Sequence, residues 1–205
     1  MSRPLTKTQQ KILEAGIDEF LAKGFPAASL RQIASKAGVT TGAFYGCFPS
    51  KDALFAAIVE PCYSQIIDRF IQMQEQFTKL PESKQPSHMG VESTQYILWM
   101  IDYIYDHYIP CKLLICCSQS TRYAGFINEM VEIEEEYTDR YMNVLRSLGH
   151  EVREIDPQTI HLIVSALFEG IFEILRHDYL KDHARKAVLQ FMEFYQAGWN
   201  KIMEP

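Results

Sequence analysis

The chain has 205 residues, 47% hydrophobic and 22% charged, which excludes a disordered or fibrous protein. Ten Gly and nine Pro are too few for low complexity, and five Cys at irregular spacing, Cys116 and Cys117 adjacent, argue against a disulfide framework or a zinc site. The formal charge of −6 excludes a general nucleic-acid coat, but it divides unevenly. Residues 1–51 carry seven basic and three acidic side chains (+4), and the remainder carries 13 and 23 (−10).

Helical spacing recurs throughout and no stretch alternates like a strand. Leu13, Ile17, Phe20 and Leu21 form one stripe, closed by Lys23 and Gly24. Ser29-Leu30-Arg31-Gln32 reads as a Ser-x-x-Gln capping box opening a short helix to about Lys36. Ala37-Gly38-Val39 makes a turn, Thr40 caps a second short helix from Thr41 to about Cys47, and Phe48-Pro49 ends it. Ser50 caps the next helix, in which Leu54, Phe55, Ile58 and Val59 form the buried face and Pro61 should kink or interrupt the pattern. Lys79–Gly90, with Pro81 and Pro86, reads as a loop. Helices are then expected over roughly Val91–Tyr108, Pro110–Ser118 and Arg122–Leu148. Asp156-Pro157 starts a further helix carrying Ile160 to Leu175, and Asp182 is expected to cap the last. The fold class is all-α, with about nine helices.

Two short helices joined by a Gly-containing turn behind a supporting helix form a helix-turn-helix pattern. The second is built of small or hydroxyl-bearing residues (Thr40, Thr41, Gly42, Ala43, Tyr45, Gly46), with Phe44 and Phe48 as anchors, which suits close approach to a groove. A purely structural αα-hairpin has the same pattern, so spacing alone leaves both readings open.

Residues Thr8 to Glu60, above all ASLRQIASKAGVTTGAFYGCFPSKDALFAAIVE, resemble the tetracycline-repressor (TetR) family of bacterial transcription regulators. The resemblance rests on Leu30, Ile33, Ala34, Ala37-Gly38-Val39, Gly42, Phe44-Tyr45, Phe48, Ser50-Lys51 and Leu54. It implies a homodimer on a double-stranded, pseudo-palindromic DNA operator, a small-molecule inducer, and a cytoplasmic, non-enzymatic regulator acting as a repressor. The expected domains are a DNA-binding domain at 1–51 and a ligand-binding and dimerisation domain at 52–205, connected by the helix that carries Leu54 to Val59.

Thr40 and Thr41 hydroxyls would cap the recognition helix, bond phosphate or reach base edges, Gly42 would allow close approach, and Ala43 would offer a methyl to thymine. By resemblance, Tyr45 would donate to a phosphate. Lys51 and the helix start beneath it would hold another, and Ser29 would either contact phosphate or only cap. Gly46-Cys47 departs from the family, where larger residues are common; direct readout then depends on Thr41, Ala43 and the N-terminal arm.

Twenty of the 25 aromatic residues follow Lys51. Trp99, Tyr103 and His107, at i, i+4 and i+8, are candidate walls of an inducer pocket, with Tyr123, Phe126 and Phe168 facing them; core packing is the competing reading. A flat or lipophilic inducer, neutral or cationic, suits the acidic, aromatic body. Leu162, Ala166 and Gly170 form a second row at i+4 spacing. With Phe191, Tyr195 and Trp199 they are expected at a dimer interface. Glu132, Glu134, Glu135 and Glu136 read as a solvated face. No cofactor motif, metal cluster or catalytic constellation stands out, and Glu169 and Glu173 argue against a membrane span. A helical enzyme using the aromatic pocket, or an adaptor with no DNA binding, are the alternatives.

Overall fold

A computed structural model describes residues 5–204. Among them the chain forms nine α-helices and one short 3-10 helix: α1 Lys7–Ala27, α2 Leu30–Lys36, α3 Thr41–Cys47, α4 Lys51–Thr78, the 3-10 turn Glu82–Lys84, α5 Gln85–Asp106, α6 Tyr108–Cys116, α7 Phe126–Ser147, α8 Pro157–Arg176 and α9 Lys181–Met203.

The chain makes two compact units. One comprises residues up to Ser64 with His107–Ala124; the other comprises Gln65–Asp106 and the chain from Gly125 onward. This division differs from the boundary expected at Lys51. α4 begins in the first unit, and α6 returns there to pack on α1, where Phe25 N–H donates to Cys117 O (3.1 Å). The core of the first unit is aromatic: Phe20 and Phe55 are fully buried and meet edge to face at 5.1 Å. In the second unit α7 packs on α8 and α5 on α9 around Phe70, Met100, Phe168 and Phe172, all essentially inaccessible.

Several local expectations change. Pro61 does not interrupt its helix: α4 runs 28 residues through it. Proline removes only its own N–H, and a long helix with a buried face on both sides of it absorbs that loss. Residues 85–90 are helical rather than loop, since Pro86 falls in the first turn of α5, where its N–H would lack a partner anyway. α7 starts at Phe126, four residues later than expected, after a turned segment with Ser120 at φ 64°. Leu180, extended, is the N-cap of α9, so Asp182 lies inside the first turn and favours the helix dipole without capping. Thr40, Ser50 and Asp156 do cap, accepting from Ala43 N–H (3.1 Å), Ala53 N–H (3.0 Å) and Thr159 N–H (3.2 Å).

α8 is long and apolar enough, by length and composition, to cross a membrane. Its apolar stripe is instead committed to protein: Val164, Phe168, Ile171, Phe172 and Leu175 are buried, and Glu169 and Glu173 pair with Arg176 at 2.6 and 2.7 Å. Among the described residues no disulfide joins any of the five cysteines.

Candidate DNA interface and ligand cavity

The turn between α2 and α3 is a Schellman motif. Val39 N–H donates to Ala34 O (3.0 Å) and Gly38 N–H to Ser35 O (3.1 Å), which requires the left-handed backbone of Gly38 (φ 65°). A side chain there would strain the turn that sets the angle between the two helices. Ile33 and Ala34 anchor α2, and fully buried Phe44 with Phe48 anchors α3. Anchoring one side of so short a helix leaves the opposite side outside. Thr40, Thr41, Gly42, Ala43, Tyr45 and Gly46 are all exposed, and Tyr45, 51% accessible, stands edge-on to Phe44 (5.7 Å). A Cβ added at Gly46 would meet nothing within 4 Å, so this face is bare backbone and methyl groups with hydroxyls at its start and middle.

The same unit holds a buried carboxylate that composition alone did not single out. Glu19 on α1, 1% exposed, accepts from Lys23 Nζ (2.7 Å), Lys36 Nζ (3.0 Å) and Ser29 N–H (3.3 Å). The two ammonium groups, Lys23 first, hold its carboxyl down to about 2. Ser29 is the N-cap of α2 by position, yet its side chain makes no cap bond; the expected Ser-x-x-Gln box is absent because Glu19 takes the backbone N–H that Gln32 would have accepted.

Lys51 also differs from expectation. Its ammonium donates to the carbonyls of Phe25 (2.7 Å), Ala28 (3.1 Å) and Pro26 (3.2 Å) and lies 4.5 Å from the Phe25 ring centroid. All three bonds close the end of α1, so in this conformation the side chain is a structural clasp rather than a phosphate ligand.

The six residues expected around an inducer do not converge. Trp99 and Tyr103 stack at 5.4 Å on α5, with Arg69 over Trp99 at 4.2 Å. α5 ends at Asp106, so His107 leaves their face and becomes the exposed N-cap of α6. Tyr123 belongs to the other unit, where its hydroxyl donates to Glu60, which also accepts from Arg122 and Ser64. Burial raises the Tyr123 phenol, and the Tyr123 bond lowers Glu60. Phe126 and Phe168 are solid core, packed on Phe172 and Phe70.

A cavity of about 240 Å3 opens elsewhere in the second unit, lined from α5, α7, α8 and α9 by residues including Met89, Glu134, Tyr141, Tyr195 and Trp199. Glu134, expected in solvent, lines it and accepts from Gln74 Nε2 (2.6 Å). By surface area the residue is half-buried, because the cavity is open; the atoms packed around the carboxyl nevertheless push it up to about 7. No spacing rule separates Glu134 from its acidic neighbours, since its position depends on how far α7 rotates against α4.

The expected dimer residues also divide. A Cβ at Gly170 would lie 2.5 Å from Phe191 Cζ, so both sit in the contact between α8 and α9 of one chain. Tyr195 and Trp199 line the cavity. Leu162, 69% accessible, and Ala166 remain outward, and Phe194, 71% accessible, joins the exposed apolar residues.

Residues 12–58, which span α1 to α4 of this geometry, match the bacterial regulatory proteins of the tetR family. Over these residues the chain is similar to the TetR family of transcription regulators. It is 45% identical over 53 residues to TtgW, an HTH-type transcriptional regulator of a Pseudomonas putida strain, covering 26% of this chain and 40% of that one. It is 28% identical over 176 residues to the HTH-type regulator SrpR of Pseudomonas putida, covering 80% and 76%. In the first curated relatives it matches, the chain spans about a third to two fifths of their length. A tetR-family regulatory protein from Rhodococcus RHA1 has the same fold, with TM-score 0.57, 18% identity and 98% of both chains covered. These relatives are regulators, and none supports the enzyme or adaptor alternative.

Proposed function

We propose that the chain is a homodimeric, ligand-released repressor that binds a pseudo-palindromic operator through α3. The observation that carries this reading is the exposed face of Thr41, Gly42, Ala43 and Tyr45, held outward by Phe44 on a helix-turn-helix of the TetR family. Thr41 and Ala43 supply base-edge contacts; Thr40, Tyr45, Ser29 and the free N–H groups at the start of α4 supply phosphate contacts. Lys51 acts first by holding the end of α1 in place. Any contribution of the N-terminal arm involves residues 1–4, which lie outside the described residues.

Two copies must present α3 about 34–36 Å apart to reach successive major grooves. Leu162 and Ala166 on α8 with Phe194 on α9 supply an outward apolar surface for pairing. The inducer occupies the second unit, and α4, which continues through both units, transmits its effect. A ligand that prefers a different separation of the α3 helices weakens DNA binding by its differential affinity, about 1–3 kcal/mol of coupling. A DNA partner places the protein in the cytoplasm. The test is selection of bound fragments from genomic DNA. Enrichment of a two-half-site sequence supports the reading, and binding that never exceeds that to random DNA contradicts it.

A further inference from the structure

The cavity of the second unit has an unusual charge balance. Glu134 contributes a carboxylate to a wall otherwise made of apolar and neutral polar residues, and among the described residues no lysine, arginine or histidine lines it. The groups facing Glu134 are neutral donors or phenols: Gln74 from α4, Tyr96 from α5, whose phenol feels its charge, and Thr138 and Tyr141 from its own helix. From α9 come Tyr195 and Trp199. Arg69, the cation that also reaches Tyr96, is stacked over Trp99 and lines a different groove. The carboxylate therefore has one amide donor and no counter-ion, a costly arrangement for a charge against apolar walls. The protein meets part of that cost by holding the proton up to about 7.

A ligand bringing its own positive charge removes the cost. Tyr141, Tyr195 and Trp199 offer aromatic faces, and faces of that kind attract cations, most strongly where water is excluded. Met89, Met192 and Met203 give the wall adaptable, polarisable surface that tolerates apolar bodies of varied shape. An anion would meet Glu134 with no compensating cation in the wall, and a neutral ligand would leave the carboxylate without a counter-ion.

We propose that the cavity bounded by α5, α7, α8 and α9 binds a lipophilic organic cation, whose charge pairs with Glu134 and whose apolar body lies against Tyr195 and Trp199. The proposal deepens the reading of the chain as ligand-released only in its consequence for DNA; binding itself stands on the cavity. Because the cation needs the ionised carboxylate, binding below pH 7 drives a proton off Glu134. Affinity therefore rises with pH and levels off above 7.

The test uses the full chain with Trp99→Phe, so that Trp199 in the cavity wall is the one remaining tryptophan, and two probes of equal shape: phenyltrimethylammonium and its neutral isostere tert-butylbenzene. Trp199 emission, without DNA, should report cation binding about tenfold tighter at pH 8 than at pH 6, as a group titrating near 7 requires. tert-Butylbenzene should show no pH dependence. Glu134→Gln should abolish the pH dependence for the cation and weaken its binding about tenfold or more at pH 8, while binding of tert-butylbenzene is kept, which shows the cavity intact. Equal affinity of the wild-type cavity for both probes, no binding of the cation, or unchanged cation affinity in Glu134→Gln would overturn the proposal. Operator release is read separately. A cation that binds as described and leaves DNA bound counts against ligand release, not against the site.

Discussion

Glu19 Oε2 lies 3.0 Å from Lys36 Nζ, so the supporting helix holds the last turn of α2 through a buried charge. The same carboxylate holds Lys23 and the backbone N–H of Ser29 at the N-cap of α2, so both ends of that helix are fixed to α1 by one side chain. The carboxyl sits at about 2 against an ordinary value near 4.5. A depressed pKa contributes stability that is complete above the unfolded value and is lost as pH falls toward the folded one. Wild type should therefore exceed Glu19→Gln in urea-melt stability by a constant amount from pH 5 to 8, and the gap should close between 4.5 and 2. A gap that persists at pH 2 would mean the ion pairs are not its source.

Lys51→Met keeps the apolar stem against Phe25 and removes the ammonium that donates to the carbonyls of Phe25, Pro26 and Ala28. Charge-assisted bonds of this kind contribute about 1.5–3 kcal/mol, so the variant should lose stability of that order in a denaturant melt. A normal melt with weakened DNA binding would restore the phosphate role for the side chain.

Gly170→Ala should destabilise the contact between α8 and α9, because its Cβ falls on the Phe191 ring. The atom met is the tip of a side chain, so the packing cost should be about 1 kcal/mol, the low end for overpacking, and be largely offset by the roughly 0.5–1 kcal/mol that Ala gains over Gly inside a helix. Phe191→Ala should absorb most of the packing cost in a double-mutant cycle, which separates this contact from a role between subunits.

The local chemistry of the helix-turn-helix was legible in the sequence. Thr40 and Ser50 cap as their types require, and Gly38 takes the left-handed turn that the spacing demands. What was not legible depends on rotation about helix axes and on partners distant in sequence. Trp99, Tyr103 and His107 share a face only if one helix spans all three, and α5 ends one residue before His107. Glu134 looks like its acidic neighbours until Gln74, 60 residues away, meets it. Ser29 and Gln32 had the composition of a capping box, but buried Glu19 competes for the same N–H.

Leu162→Glu with Phe194→Glu should convert a dimer to a monomer in light scattering without altering the helical signal, since both side chains are largely exposed in the single chain. Burying two carboxylates in an apolar contact opposes association by several kcal/mol. A double variant that still runs as a dimer places the pairing surface elsewhere.

Reading of DNA by α3 is tested most directly by an anisotropy titration of a selected operator with wild type, Tyr45→Phe and Thr41→Ala across a salt series. Tyr45→Phe removes one phosphate donor and should weaken binding to specific and random DNA alike, by about 3–10-fold. Thr41→Ala should weaken operator binding more than random-sequence binding, because it removes a base-edge contact. Both variants should melt like wild type, as both residues are exposed. Operator affinities equal to wild type for both, with folding intact, would contradict the account.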